Sequence, residues 1–331
     1  MKMKSISAIF SLFILYSCSN DNNTTNVEPI SELTLNNLKS LPSNIPQDFY
    51  NDLTFINENT GYAVSRMGII VKTIDGGINW TSYSILGDLY LKKVQFINTN
   101  IGFVIGGNAS GSFLIKTTNA GQTWIVIDLH STGSGFPTGM FFKNENEGYI
   151  TGNKLFIKTT DGGLHWTNVL PNVDEDFKDV NFKDNNFGIV TLNKGDYYKT
   201  TNGGLSWDSV KLDDQYTLNE IYFVSGKTYI RSGNQLVDIN TKTTISIPSP
   251  ASKLQFLSTT KSIGIGQHFE IGFFPYGDIL LTNDNWSNFL QKSYQPSSEV
   301  MDFTAIAKMS NHKTMILGTG QLNTEVITIT Y

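Results

Sequence analysis

Thr73-Ile74-Asp75-Gly76-Gly77-Ile78-Asn79-Trp80 is one of four near-copies of a single eight-residue stretch. It returns as Thr117-Thr118-Asn119-Ala120-Gly121-Gln122-Thr123-Trp124, as Thr159-Thr160-Asp161-Gly162-Gly163-Leu164-His165-Trp166, and as Thr200-Thr201-Asn202-Gly203-Gly204-Leu205-Ser206-Trp207. The tryptophans stand 44, 42 and 41 residues apart. A fifth copy reads as a shortened Leu281-Thr282-Asn283-Asp284-Asn285-Trp286, 79 residues beyond Trp207. That gap is close to two repeat lengths, so one unit between them lacks its tryptophan. A fixed period of this size is the mark of a repeat architecture.

Working outward, each copy is preceded by a second marker. Phe55-Ile56-Asn57-Glu58-Asn59-Thr60-Gly61-Tyr62 matches the stretches that begin at Phe96, Phe142 and Phe182, with weaker copies at Phe223, Phe256 and Phe303. Seven units of about 40 residues result. One unit decodes into four short strands: Val94 to Phe96, Gly102 to Ile105, Phe113 to Thr117 and Thr123 to Val126. Short apolar runs between Gly/Asn turns, with no stripe of 3.6-residue period, exclude a helical fold. The expectation is all-β: a single β-propeller of seven blades, each with four antiparallel strands, over residues 30–331. The last unit supplies only three strands. The segment around Leu33 to Leu38 is expected to add the fourth and close the ring.

The tryptophan-bearing turn resembles the Asp-box, or BNR repeat, and the whole unit is similar to the repeat of Ycf48/Hcf136-type propellers. In the box, Asp75, Asn119, Asp161 and Asn202 are expected to accept backbone N–H bonds, while Trp80, Trp124, Trp166 and Trp207 pack between blades. The resemblance implies a structural box and a non-catalytic protein that holds other proteins during assembly.

The chain has 331 residues, with 24 Lys plus Arg against 29 Asp plus Glu. This net charge of −5 argues against nucleic-acid binding, which needs cations to neutralise phosphates. Met1 to Tyr16 combines two lysines with an apolar run too short to span a bilayer, and reads as a secretory signal over residues 1–17. Its end, Leu15-Tyr16-Ser17-Cys18, resembles a bacterial lipoprotein signal, which implies a lipid anchor on Cys18. Residues 18–29 hold a Ser, Asn, Asp and Thr run that reads as a flexible tether. The expected location is the bacterial cell envelope, lipid-anchored, at the outer membrane. Cys18 is the sole cysteine, so disulfides and Cys-ligated metals are excluded.

Asp-boxes also occur in sialidases and other glycoside hydrolases, so a carbohydrate-active enzyme or glycan-binding protein is the alternative. A sialidase site needs three arginines around a carboxylate; Arg66 and Arg231 are the only two in the chain. No Gly-x-Ser-x-Gly elbow or P-loop is complete, and His130, His165, His268 and His312 lie in different repeats. No catalytic residue, metal or cofactor is expected. Two binding features remain. Asp174, Glu175, Asp176, Asp179, Asp213 and Asp214 lie on successive blade connections, and form a candidate acidic rim for a basic partner. Phe269, Phe273, Phe274 and Tyr276 form a candidate aromatic loop in blade 6. The expected partner is another cell-envelope protein or a glycan, reached from the membrane.

Overall fold

Apolar runs of a few residues, closed at both ends by Asn- and Gly-rich turns, bury themselves as short paired strands. The computed structural model describes residues 38–41, 43–85, 89–129, 136–258, 260–268, 276–294, 302–320 and 324–330. Its strands form seven four-stranded antiparallel sheets, arranged as a seven-bladed propeller. Blades 1 to 6 span residues 50–84, 90–128, 137–168, 177–211, 218–246 and 251–294. Blade 7 takes Asp302–Ser310, Lys313–Thr319 and Thr324–Thr330 from the C-terminal side. Its outer strand is Leu38–Leu41, with Leu38 opposite Ile329 and Leu41 opposite Val326. The clasp therefore forms on Leu38–Leu41, one segment later than expected, and joins the two ends of the chain through backbone bonds.

Strand direction alternates within every blade. The turns after the first and third strands therefore share one face of the ring, here the box face. The turns after the second strand share the opposite, mouth face with the blade-to-blade connections. On the box face the two turns of a blade are bonded together, Gly76 N–H to Asn59 O and Gly162 N–H to Asn146 O at 2.9 Å.

The repeated residues meet where blades touch. Phe96 of blade 2 stacks on Tyr62 of blade 1 at 3.8 Å, and Trp124 stands edge-on to it at 6.1 Å. Phe142 lies likewise between Phe103 and Trp166, and Phe182 between Tyr149 and Trp207. Blades 2, 3 and 4 thus offer their marker Phe and box Trp to the aromatic residue that follows the marker Gly of the preceding blade. The Gly itself is required by the Phe opposite: a Cβ on Gly102 would lie 2.4 Å from the Phe96 ring. Large apolar rings removed from water in this way supply most of the cohesion between blades.

The box turn explains its own pattern. Thr73 Oγ1 donates to Asp75 Oδ1 and accepts from Gly77 N–H, both at 2.9 Å. Asp75 Oδ1 accepts from Asn79 N–H at 2.8 Å, and its Oδ2 from the Asn79 amide at 2.7 Å. Asp161 with His165 and Asp284 with Asn288 repeat this arrangement. Where the box holds Asn, the fourth residue on is a hydroxyl that accepts instead: Asn119 donates to Thr123, and Asn202 to Ser206. The two positions change together because a carboxylate only accepts, whereas an amide nitrogen donates.

Two phase assignments in the sequence need correction. The fifth box is full length: Thr282, Asp284 and Asn288 match Thr73, Asp75 and Asn79, so Phe289 holds the tryptophan position. Trp286 stands where the second glycine belongs, at φ 68°, and its N–H bonds Thr282 Oγ1 as that of Gly77 bonds Thr73. Its ring is buried with Tyr229 and Phe256, the slot the box tryptophans fill elsewhere. Phe303 is also out of phase. It pairs with Gly318 near the start of its strand, while Lys308, opposite Thr314, occupies the marker position.

Candidate functional site

All seven innermost strands break register at the same level, after Tyr50, Leu91, Pro137, Phe177, Leu218, Ala251 and Phe303. A bulge turns side chains off the normal alternation, and in blades 1 to 6 it brings residues of this stretch to the channel, whereas in blade 7 Ala305 packs in the core and Ile306 lines the cavity. The first ring of residues is Asn51, Lys92, Thr138, Lys178, Asn219, Ser252 and Thr304. The second is Asp52, Lys93, Gly139, Asp179, Glu220, Lys253 and Ala305. Most of them line a cavity of about 810 Å³ at the mouth-face end of the channel, together with Tyr222, Arg231 and Gln267.

The second ring holds itself together. Lys93 reaches past blade 3 to Asp179 of blade 4, Nζ to Oδ1 2.6 Å. It passes over Gly139, where a Cβ would lie 2.9 Å from Asp179 Oδ1. Lys253 of blade 6 passes over Ala305 in the same manner and donates to the Asn51 carbonyl of blade 1. Asp52 Oδ2 accepts Val94 N–H at 2.9 Å, and Asp179 Oδ2 accepts Ile221 N–H at 3.2 Å, each from the following blade. Glu220 accepts from Tyr222 Oη at 2.6 Å and lies 3.5 Å from Arg231. Burial holds the Asp179 carboxyl above the usual carboxylate range, partly offset by Lys93. Burial opposes the charge on Lys93 too, but Asp179 outweighs it and keeps the amine protonated.

The first ring contributes cations without acids. Among the described residues Lys92 has no hydrogen-bond or ion-pair partner. Burial, then the neighbouring Lys93, lowers its pKa. Lys253 is likewise lowered, chiefly by burial. Five cations, Lys92, Lys93, Lys178, Arg231 and Lys253, thus face three acids, Asp52, Asp179 and Glu220, in a protein whose net charge is −5. Arg66 flanks the mouth as well, its Nε 3.4 Å from Asn51 Oδ1 and its guanidinium over the Phe49 ring. Both arginines of the chain are therefore at one opening.

The candidate rim does lie on this face, but its members divide. Asp179 is buried in the channel wall. Asp174, Glu175 and Asp176 stand outside it beside Lys154, Lys194 and Lys178, at 2.9, 3.7 and 3.9 Å. Asp214 pairs with Lys211 at 2.7 Å, and Asp213 accepts from Gln215. The rim is a mixed-charge border around a cationic cavity. Tyr276 opens the third strand of blade 6, whereas Phe269, Phe273 and Phe274 lie outside the described residues, as do residues 1–17 and Cys18. Among the described residues no three His, Cys, Asp or Glu side chains group as metal ligands.

Of the channel residues only Asp179 was among the sequence-predicted sites, although a signal for its whole column existed. Counting three back from the marker residues Phe55, Phe96, Phe142, Phe182, Phe223 and Phe256 gives Asp52, Lys93, Gly139, Asp179, Glu220 and Lys253. Only the bulge shows that this column faces the channel.

Comparison with known proteins adds to this geometry. The family model of the photosynthesis system II assembly factor YCF48 matches residues 37–141. The photosystem II stability/assembly factor HCF136 of Guillardia theta, chloroplastic, is 34% identical over 61 residues, 17% of this chain and 15% of that protein. The chain resembles the Ycf48-type propellers. Among solved structures, YCF48 bound to D1 peptide superposes with a TM-score of 0.66 at 17% identity, covering 89% of this chain and 96% of that one. YCF48 from Cyanidioschyzon merolae gives 0.65 at 15%, covering 89% and 98%. A GH74 enzyme of Niastella koreensis gives 0.62 at 12%, covering 82% of this chain and 52% of that one. At such identities the likeness of these structures is one of fold. The Ycf48-like character of this chain rests on the family model, on the curated relative, and on the marker and box columns.

Proposed function

We propose that this Ycf48-like propeller is a non-catalytic platform on the cell envelope, anchored through Cys18, whose mouth takes an acidic segment of another protein. The observation that carries the reading is the cation excess of the cavity, with Lys92 partly buried and unpartnered. Burial and the neighbouring Lys93 disfavour the charge on Lys92, against a weaker pull from Asp52 and Glu220, and an acidic ligand group offsets that cost on binding. The acids of the cavity already serve backbone N–H groups, Tyr222 or lysines, which leaves no free carboxylate pair for glycoside hydrolysis. That Ycf48 has been captured with a D1 peptide lends support to a polypeptide ligand for its relative here.

The test measures binding of an aspartate-rich fluorescent peptide by anisotropy. Binding is expected to weaken with salt, as screening lengths shorten to about 8 Å at physiological ionic strength. It is also expected to drop tenfold or more in Lys92→Gln/Lys178→Gln. Equal affinity in that double variant, or tighter binding of a lysine-rich peptide, overturns the reading. The anchor is tested separately. Cys18→Ser is expected to move the protein from the membrane fraction to the soluble fraction, and retained membrane association removes the anchor from the proposal.

A further inference from the structure

The outer strand of blade 7 begins at Leu38 on the box face, because Leu38–Leu41 runs antiparallel to Thr324–Thr330 and leads up to the mouth face. The described chain therefore starts on the side opposite the cavity. Residues 19–37, nineteen in all, separate it from Cys18. At 3.3–3.6 Å per residue they reach at most about 68 Å.

The same face carries exposed aliphatic side chains on its box turns: Ile74 and Ile78 in blade 1, Leu164 in blade 3 and Leu205 in blade 4. Leu164 and Leu205 are 72% and 84% accessible. Nothing in the box requires them. Its hydrogen bonds use Thr, Asp or Asn, the glycine N–H and the residue before the tryptophan, and blade 2 has Gln122 at the position of Ile78, Leu164 and Leu205. Side chains on turns of three different blades are not collinear, so together they define a plane across the ring. An isolated exposed leucine is ordinary; aliphatics at one turn position in three of five copies, with Gln122 and Ser287 in the other two, on the face where an anchored chain enters, form a pattern.

We propose that the box face is the membrane-facing surface of this protein: the aliphatic tips of blades 1, 3 and 4 rest in the lipid interface and the cationic mouth points away from it. The proposal rests on the anchor at Cys18 assigned above. The anchor holds the box face at high local concentration next to lipid, so a few shallow aliphatic insertions are enough to set orientation. The turns of this face hold both Lys183, Lys261 and Lys313 and Glu58, Glu145 and Asp184. Lipid contact is therefore assigned to apolar insertion, and anionic lipid is not needed for it.

The experiment uses the full acylated chain in vesicles of phosphatidylethanolamine and phosphatidylglycerol, and again in phosphatidylcholine alone. An acylated Cys18 has no free thiol, so one engineered cysteine takes a polarity-sensitive fluorophore. Gln122→Cys reports on the box face without removing an aliphatic, and Asp214→Cys on the mouth face. A quencher carried on the lipid chains is expected to quench the Gln122 probe several-fold more than the Asp214 probe, in both lipid mixtures. Ile74→Ser/Leu164→Ser/Leu205→Ser is expected to leave the protein anchored and to reduce that difference at least twofold. Equal quenching at both sites, stronger quenching at Asp214, or Gln122 probes that pair between two copies of the chain overturns the orientation while the anchor stands. Mass analysis of the amino-terminal peptide judges the anchor by itself, and an unacylated Cys18 overturns both.

Discussion

The box turns, present in five blades, and the channel wall, present in all seven, both arise from the same repeat, yet they treat it in opposite ways. In the boxes, Thr73, Thr117, Thr159, Thr200 and Thr282 make the same two bonds, and each substitution nearby is matched by its partner. In the wall, one column reads Asp52, Lys93, Gly139, Asp179, Glu220, Lys253 and Ala305, with no residue type used more than twice. A position that only has to hold a turn is solved once and copied. A position that faces the shared channel is solved for the ring as a whole, because its side chains meet residues of the next blade, as Asp52 and Asp179 do, or two blades away, as Lys93 and Lys253 do.

The largest effect that tests this contrast is expected in the aromatic seams. Trp124→Ala removes the ring that closes the Tyr62–Phe96 seam and is expected to cost about 3–5 kcal/mol, read by chemical denaturation. An unchanged midpoint would mean that the copied residues do not hold the blades. Next comes the wall. Gly139→Ala places a methyl 2.5 Å from Thr151 Oγ1 and 2.9 Å from Asp179, and is expected to cost about 1–3 kcal/mol. The same change at Gly226, where a Cβ meets nothing, has only the backbone cost of its φ of 87°, and is expected to cost about 1 kcal/mol. Equal losses would show that Lys93 does not need the gap at blade 3.

A smaller effect separates two boxes by pH. The His165 backbone N–H first, then its imidazole, lowers the Asp161 pKa to about 2. A depressed carboxylate stabilises the fold fully above its unfolded pKa of about 4, and the gain is lost as pH falls towards the folded value. Asp161→Asn, which leaves His165 where Asn119 and Asn202 have an accepting hydroxyl, is expected to lower stability slightly at neutral pH and to flatten the acid loss between about pH 4 and about pH 2. An acid limb identical to wild type would place the titration elsewhere. The smallest effect on stability belongs to Lys92. Lys92→Gln is expected to stay within about 0.5 kcal/mol of wild type while losing affinity for an acidic peptide. A large destabilisation instead would make Lys92 a structural cation and weaken the binding reading.

Most of the fold was legible because its determinants are local. Thr, Asp, Gly and Trp at fixed spacing dictate a turn and its seam wherever they stand, and the copies confirm one another. Two places misled for equally local reasons. Trp286 matched by letter but sits three residues before the tryptophan position, reaching the same slot from a left-handed backbone. Phe303 matched by type but lies at the opposite end of its strand. The acidic rim was legible as charge and not as geometry, since the lysines that border it come from other turns and strands.

The sequence by itself determined the repeat, the number of blades, the box hydrogen bonds and the composite closure, all of which follow from residues within one unit or from counting units. Only the tertiary structure decided which residues face the channel, that Lys93 finds Asp179 across a blade that carries glycine, and that both arginines reach one mouth. The reason is physical. A bulge of one or two residues changes where a side chain points without changing the pattern of apolar residues around it, and a ring brings together blades that are far apart in the chain.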